Sequence, residues 1–153
     1  MDIDIYSNYL SNSEAFELYS KIIKNPHHFK HSPITKSGLP SKKRNKTIYG
    51  SIPKYVYEYY GKMVETPINP WHSFPELEIL AKRIEKTTGQ SYNTCVIQIY
   101  NSGDVEIKPH RDKEMKKDSI IASISLGETR KMRFERSGLI LLCIQIKCKL
   151  CVL

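Results

Sequence analysis

A histidine and an aspartate two residues apart, His110 and Asp112, are the side chains best suited to chemistry in this chain. They lie between two strand-like stretches, 94–100 and 119–126, and in an extended segment residues i and i+2 project from the same face. An imidazole and a carboxylate on one face supply part of a 2-His-1-carboxylate site, which holds non-haem Fe(II) and leaves positions open for O2 and a co-substrate. No histidine follows His110 in the sequence, so the source of a third ligand stays open.

Other groups that could complete this site are weaker candidates. His72 could supply an imidazole, but we expect it to serve surface or loop packing. We expect the same of a cluster early in the chain: His27, His28 and His31. Near the C-terminus stand three thiols, on Cys143, Cys148 and Cys151. Soft sulfur prefers zinc or iron–sulfur clusters to an oxygen-activating iron, and three cysteines without a fourth ligand are more often ordinary tail residues.

Composition narrows the class of protein. A chain of 153 residues, 40% of them hydrophobic, is long enough for one domain with a core and too apolar to be disordered. No apolar run is long enough to span a bilayer, and the acidic start lacks a signal-peptide pattern. We therefore expect an intracellular, monomeric protein of cytoplasm or nucleus, with no membrane partner and reduced cysteines. Its net charge of +8 permits attraction to nucleic acid, although the same charge also serves solubility.

The first helix is predicted to follow a capping box. Ser11 is placed as the N-cap and Glu14 at the third helical position, where each side chain can bond to the other's backbone N–H. Asn25-Pro26 is expected to end the helix. The apolar positions that recur at helical spacing are Phe16, Tyr19, Ile22 and Ile23.

A second helix is marked at both ends. Ser73 is predicted to cap it, with Pro75 in the first turn and Glu76 completing a capping box, and Gly89 fits the position just past its end. Its predicted apolar stripe consists of Leu77, Leu80 and Ile84, with Ile79 flanking.

The segment between the helices is basic and rich in tyrosine. Residues 26–46 look like a loop, and the run 42–46 is either a phosphate contact or a solvated surface. Tyrosines follow it at positions 49, 55, 57, 59 and 60. Aromatic rings beside basic residues can stack on exposed bases, but we favour packing for most of these.

The second half of the chain has the period-two pattern of strands. In 94–100 one face carries Cys95, Ile97 and Ile99, and the other carries Val96, Gln98 and Tyr100. Residues 101–104 are predicted to form a turn, and a strand is expected over 119–126. A turn at Gly127-Glu128 leads to the next expected strand, around Met132 and Phe134. The apolar tail 139–153 is also strand-like. Helices followed by antiparallel strands indicate an α+β chain built on a β-sandwich or jelly roll.

These motifs, in this order, resemble the AlkB-type Fe(II)- and 2-oxoglutarate-dependent dioxygenases, most of all the eukaryotic DNA-repair branch. The resemblance extends from about residue 7 to residue 134. It rests on the central block of 92–100, Gly103, 110–114, 121–127, Arg130 and Phe134. Upstream, the matching elements are Arg44 with Tyr49-Gly50, Tyr60-Gly61, Pro70-Trp71, Phe74-Pro75 with Leu77, and Thr88-Gly89.

The resemblance implies a fold and an activity. The fold would be N-terminal helices packed on an incomplete double-stranded β-helix, the jelly roll of this family. The activity would be oxidative demethylation of alkylated bases in DNA or RNA, with Fe(II), 2-oxoglutarate and O2. The dioxygenase domain would cover 1–138, with an N-terminal and lid region in 1–93 and jelly-roll strands from 94, and 139–153 would be a divergent or truncated tail.

The resemblance also implies roles for individual residues. His110 and Asp112 would be the iron ligands, and Gln98 and Tyr100 would contact 2-oxoglutarate. Gln98 stands where the family usually has an asparagine, so the contact is one methylene longer. The residues implied in contact with the nucleic acid are Arg44, Tyr49, Gly50 and Glu114.

The resemblance fails at one point. The family has a second histidine and a carboxylate-binding arginine further along, and neither residue type occurs after Arg136. Two other functions therefore stay open. One is an inactive remnant or nucleic-acid-binding module that keeps the basic surface without the chemistry, and the other is a small zinc-stabilised nucleic-acid binder that uses the C-terminal cysteines.

Overall fold

The computed structural model describes residues 3–30, 32, 39, 44–59, 61–108, 110, 119–136, 139–146 and 149–152, with side chains left out at Tyr59 and beyond Phe134. The chain divides into two compact units, Met1–Ile22 with Ile107–Leu153, and Ile23–Glu106. We call them the terminal unit and the central unit and treat each by itself. Within these described residues, two α-helices and ten strands make the chain α+β, as predicted.

The elements follow one another in a mixed order. The helices are α1 (Asn12–Lys24) and α2 (Pro75–Thr88), with short 3₁₀ helices at Pro26–Phe29 and Trp71–Ser73. The strands are β1 (Asp4–Ser7), β2 (Arg44–Gly50), β3 (Lys54–Tyr59), β4 (Lys62–Pro67), β5 (Asn69–Pro70), β6 (Thr94–Tyr100), β7 (Ala122–Ile124), β8 (Arg130–Arg136), β9 (Leu139–Ile146) and β10 (Lys149–Val152).

The capping box that starts α1 is confirmed. The Ser11 backbone N–H donates to the Glu14 carboxylate at 2.7 Å, and the Glu14 backbone N–H donates to the Ser11 hydroxyl at 3.2 Å. Two backbone donors that the first turn cannot satisfy are paired in this way. The predicted end is also confirmed, because α1 stops at Lys24, directly before Asn25-Pro26.

The predicted apolar face of α1 is wrong for three of its four residues. Ile22 is buried, but Phe16 is 71% exposed, and Tyr19 and Ile23 are also exposed. The buried positions are instead Ala15, Leu18 and Ile22. This row lies one residue before the predicted one, about 100° around the helix. The large apolar side chains of Phe16 and Tyr19 led to the prediction that their row is buried. Tertiary packing instead buries the row with the smaller side chains of Ala15 and Leu18.

The start of α2 also differs from the prediction. Phe74, not Ser73, occupies the N-cap position, and no side-chain hydrogen bond caps the helix. The Ser73 hydroxyl donates instead to the carbonyl of Pro70 at 2.7 Å, which closes the preceding 3₁₀ turn. Pro75 lies in the first turn as predicted, and Gly89 ends the helix with a left-handed backbone at φ 69°.

The buried face of α2 confirms most of the predicted stripe. Leu77 and Ile84 are buried as predicted, and Ala81 is buried with them. Leu80 has intermediate exposure, and the flanking Ile79 is 68% exposed. The buried face of α2 therefore consists of Leu77, Ala81 and Ile84, with Leu80 at its edge.

The central unit contains the sheet on which the predicted co-substrate residues lie. Its strand order is β5-β2-β6, with β5 parallel and β6 antiparallel to β2. Strand β6 has the predicted bounds and alternation, because Ile97 is buried while Val96, Gln98 and Tyr100 are exposed. A separate two-stranded sheet pairs β3 with β4.

The terminal unit contains two further sheets. One has the order β1-β10-β7, and the other pairs β8 with β9 around a register shift between Phe134 and Glu135. The strand predicted over 119–126 is shorter, at Ala122–Ile124, and Gly127 turns the chain with φ 82°. Residues of the predicted tail form β9 and β10.

The four sheets differ from a closed jelly roll. Among the described residues, the strands form two sheets of three strands and two sheets of two strands, and no closed barrel of strands is observed. The α+β class is therefore observed, while the jelly roll remains an expectation drawn from the family. In the described part of the chain, neither helix is long and apolar enough to cross a membrane.

Candidate active site

His110 is held in an orientation that suits a metal ligand. Its Nδ1 lies 2.9 Å from the carbonyl oxygen of Lys108, and the residue is exposed. A carbonyl only accepts hydrogen bonds, so Nδ1 carries the proton and the lone pair of the neutral ring resides on Nε2. Metal-binding histidines commonly have this arrangement, in which one nitrogen donates to a carbonyl and the other coordinates. The chemistry of His110 therefore fits an iron ligand.

The second predicted iron ligand, Asp112, lies in 111–118, outside the described residues. Glu114, which was predicted to lie near the nucleic acid, falls in the same range. The side chains of Cys143, Cys148 and Cys151 are likewise outside the described residues. Among the residues that the structure does describe, no group of three histidine, cysteine, aspartate or glutamate side chains is close enough to hold a metal. His72 is exposed in the 3₁₀ helix Trp71–Ser73, in agreement with its predicted surface position.

The predicted co-substrate residues share one face of β6, as the sequence pattern indicated. Gln98 and Tyr100 are both exposed, Tyr100 at 38%. They belong to the central unit, whereas His110 belongs to the terminal unit.

Two cations lie opposite these residues in the sheet. Arg44 is paired with Tyr100 and Lys46 with Gln98 in the antiparallel register of β2 and β6. The sequence prediction placed both cations in a loop, and this is wrong, because β2 begins at Arg44. The β-branched and aromatic residues that follow Lys46 are a strand signal that was available in the sequence.

Tyr49 is buried in an aromatic cluster rather than exposed. It is 2% exposed, and its hydroxyl lies 2.8 Å from Nε2 of His28, which is itself 1% exposed. The His28 ring stacks on Phe74 with centroids 5.6 Å apart, and Tyr49 meets Phe74 edge to face at 5.7 Å. We call these three residues the His28 cluster. His28 was expected to serve loop packing, but it is a core residue that supports β2.

A cleft of about 280 Å³ lies beside the His28 cluster. Polar groups line it: Asn25, His27, Tyr49, Asn69 and Ser73. The Asn69 amide donates to the carbonyl of Ile48 at 2.9 Å, and the Asn25 side chain accepts from the His27 backbone at 3.0 Å. These bonds brace the ends of β2 and of the 3₁₀ helix Pro26–Phe29, which gives the lining a structural role.

We expect the substitution His28→Phe to lower the free energy of unfolding by about 1–3 kcal/mol. Phenylalanine can keep the ring contact with Phe74, but it leaves the buried Tyr49 hydroxyl without its imidazole partner. Urea denaturation followed by circular dichroism would measure the change. The matched variant His72→Phe alters an exposed histidine and should stay within about 0.5 kcal/mol of the native chain. Equal stabilities for the two variants would contradict the role of His28.

Two neighbouring groups in the β2–β6 sheet have raised pKa values. Desolvation raises the pKa of the Cys95 thiol from 9.0 to about 11, although the residue as a whole keeps intermediate exposure. The pKa of Tyr49, its partner in the register, is raised by burial and secondarily by the charge of the Cys95 thiolate. Both groups are therefore neutral at physiological pH, and Cys95 is an unreactive thiol.

The free energy of unfolding of the chain should fall as the pH rises from 9 to about 11. Over this range the unfolded chain releases the Cys95 proton while the folded chain retains it, so deprotonation favours unfolding. The loss amounts to about 2–3 kcal/mol, and it is absent below pH 9, where both states are protonated. Urea denaturation at a series of pH values would measure it. The variant Cys95→Ala should lose less stability over the same range, and identical profiles for the two chains would contradict the assignment.

Comparison with known proteins identifies the family. The model of the 2OG-Fe(II) oxygenase superfamily matches residues 2–140, and the chain belongs to this superfamily. Human Alpha-ketoglutarate-dependent dioxygenase alkB homolog 3 is 32% identical over 90 residues, which cover 58% of this chain and 29% of the relative. Bovine DNA oxidative demethylase ALKBH2 is 39% identical over 67 residues, or 42% of this chain and 23% of the relative. Mouse DNA oxidative demethylase ALKBH2 is 34% identical over 93 residues, which cover 60% of this chain and 37% of the relative.

These matches confirm the resemblance found in the sequence. The chain is similar in sequence to AlkB homologues and belongs to a superfamily named for Fe(II) and 2-oxoglutarate, so the cofactors predicted from the sequence are those of its family. The matched segments span between 23% and 37% of the three relatives.

Proposed function

We propose that this chain carries out the oxidative demethylation of alkylated nucleic-acid bases, with Fe(II), 2-oxoglutarate and O2. One observation carries the proposal: the Lys108 carbonyl holds His110 through Nδ1, so Nε2 is the nitrogen that would coordinate a metal, in a chain of the 2OG-Fe(II) oxygenase superfamily. The names of the relatives, which include a DNA oxidative demethylase, support nucleic acid as the substrate.

His110 and Asp112 are the proposed iron ligands, with Gln98 and Tyr100 in contact with 2-oxoglutarate. Fe(II), when bound with 2-oxoglutarate and O2, supplies the oxidant that hydroxylates an N-methyl group, and the product decomposes to formaldehyde and the repaired base. The Lys108 carbonyl fixes the ring of His110 and so its metal-binding nitrogen. The amide of Gln98 and the phenol of Tyr100 offer hydrogen bonds to a carboxylate from the exposed face of β6.

The nucleic acid is proposed to meet Arg44 and Glu114, with Tyr49-Gly50 in the same strand as Arg44. A base inside a duplex cannot be reached by an active site, so it must be flipped out or single-stranded. Arg44 has intermediate exposure and can contact a phosphate from the start of β2. The buried Tyr49 contributes by holding β2 against His28 and Phe74.

We further propose that the working fold is a double-stranded β-helix, whose domain covers 1–138 and whose lid lies within 1–93. The exposed face of β6, which carries both co-substrate residues, suits a strand that lines an open site. The chain is proposed to act as a monomer on DNA or RNA inside the cell.

Mass spectrometry of methylated single-stranded oligonucleotides would test this function. The purified chain, with Fe(II), 2-oxoglutarate and ascorbate, should remove the methyl mass and release formaldehyde, and omission of either Fe(II) or 2-oxoglutarate should stop both. Parallel DNA and RNA oligonucleotides with different methylated bases would define the substrate. A folded chain that leaves every oligonucleotide unchanged would refute the proposal and favour a binding module without chemistry.

A further inference from the structure

The sheet of β2 and β6 presents cations beside the proposed co-substrate residues. In an antiparallel pair, residues directly opposite each other project from the same face, with Cβ atoms about 5 Å apart, and diagonal neighbours remain within reach of long side chains. Lys46 is directly opposite Gln98 and diagonal to Tyr100. Its side chain therefore shares a face with both proposed 2-oxoglutarate contacts.

The burial pattern of β2 supports this orientation. Asn45, Thr47 and Tyr49 are buried, whereas Arg44 and Lys46 have intermediate exposure. The Asn45 amide donates to the carbonyl of Phe29 at 2.9 Å, which anchors the opposite face to the 3₁₀ helix. Ile48 and Gly50, further along the face of Lys46, are buried, so this face is the more open one only at the first residues of β2. There it is the face of Gln98 and Tyr100.

The electrostatics of this face favour an anion. Neither β2 nor β6 contains an aspartate or glutamate, so neither strand supplies a negative charge to neutralise Lys46. The ion pairs Lys54–Glu65 and Lys82–Glu78 lie elsewhere in the chain. An ammonium group beside an amide and a phenol forms a set of donors suited to a carboxylate.

We propose that Lys46 binds the C5 carboxylate of 2-oxoglutarate; this inference rests on the function proposed above. The C1 carboxylate and the adjacent keto oxygen form a chelating pair suited to a metal, which leaves the C5 carboxylate for a cation. Lys46 is directly opposite Gln98 and diagonal to Tyr100, so one carboxylate can meet the ammonium of Lys46 together with Gln98 or Tyr100. A charged hydrogen bond of this kind corresponds to roughly a tenfold to hundredfold change in affinity.

Calorimetric titration of 2-oxoglutarate into the full chain, in the presence of Mn(II), would test the proposal without measuring turnover. The variant Lys46→Met should bind at least about tenfold more weakly, and Lys46→Arg should restore most of the affinity because it restores the charge. Lys82→Met, which alters a lysine paired with Glu78 on α2, should bind like the native chain. Circular dichroism would verify that all three variants are folded.

Titration with a second ligand would show whether Lys46 binds the C5 carboxylate or the keto acid end. 2-Oxopentanoate has the same keto acid end but lacks the C5 carboxylate, so Lys46→Met should bind it as well as the native chain does. Equal affinity of Lys46→Met and the native chain for 2-oxoglutarate would overturn the inference and leave the proposed function standing. The same result combined with weaker oligonucleotide binding would assign Lys46 to a phosphate instead. A native chain that binds no 2-oxoglutarate would overturn the proposed function and this inference together.

Discussion

The substitution His110→Ala is expected to lower the rate of oxidative demethylation by at least about a hundredfold. Loss of partners that merely orient metal ligands costs about 10–100-fold, so loss of a ligand itself should cost no less. His110 is exposed and bonded to the Lys108 carbonyl through Nδ1, so its removal should leave the fold intact. Mass spectrometry of a methylated oligonucleotide under single-turnover conditions would measure the rate.

A second histidine provides the control. His72→Ala changes an exposed side chain in a 3₁₀ helix of the central unit and is expected to retain the native rate. Titration of Mn(II) into both variants would add a readout that is independent of turnover, with weaker binding only for His110→Ala. If His110→Ala kept the native rate, the assignment of His110 as an iron ligand would be refuted. If His72→Ala also lost activity and metal affinity, His72 would become the candidate for the missing ligand.

The substitution Gly50→Ala is expected to destabilise the chain by about 2–3 kcal/mol. A Cβ atom at Gly50 would lie 2.5 Å from the backbone oxygen of Asn93 and 2.9 Å from the Thr94 methyl group. The first of these atoms belongs to the backbone directly before β6, so relief of the clash requires the end of β2 to move away from the start of β6. Because β2 carries Arg44 and Lys46, the same shift would disturb the cationic face.

Gly103→Ala is the matched control for this substitution. No atom lies within 4 Å of a Cβ at Gly103, and its backbone lies outside the left-handed region. Alanine there should be neutral or slightly stabilising, because it reduces the entropy of the unfolded chain. Urea denaturation of both variants would compare them. A Gly50→Ala chain as stable as Gly103→Ala would show that the close approach of β2 to Asn93 is not a constraint.

Gly50 has a constraint that its motif does not reveal. The family resemblance implies that Gly50 lies near the nucleic acid, and the structure adds a packing reason for glycine there, the close approach to Asn93 and Thr94. Tyr49 also has a structural role that its motif does not reveal, because its hydroxyl is hydrogen-bonded to His28, which lies 21 residues earlier in the chain. Neither contact has a local sequence signal.

Local features were well predicted from the sequence because their causes are local. The capping box of Ser11 and Glu14, the stop at Asn25-Pro26 and the left-handed Gly89 depend on residues a few positions apart. The alternation along β6 is equally local, since successive side chains of a strand point to opposite faces. The loose motifs between residues 92 and 134, taken together in their order, were likewise sufficient to indicate the family.

Tertiary structure decided what local rules leave open. Either of two adjacent rows of α1 could have been buried, and packing chose Ala15 and Leu18 over the aromatic row with Phe16. The pairing of Lys46 with Gln98 joins residues 52 positions apart, and no short-range pattern specifies such a register. The sequence by itself therefore determined the helix ends, the strand faces and the family, because these follow from near neighbours. Only the folded chain decided which faces of the helices and strands are buried and which side chains lie opposite each other in a sheet. Both depend on contacts between distant segments of the chain.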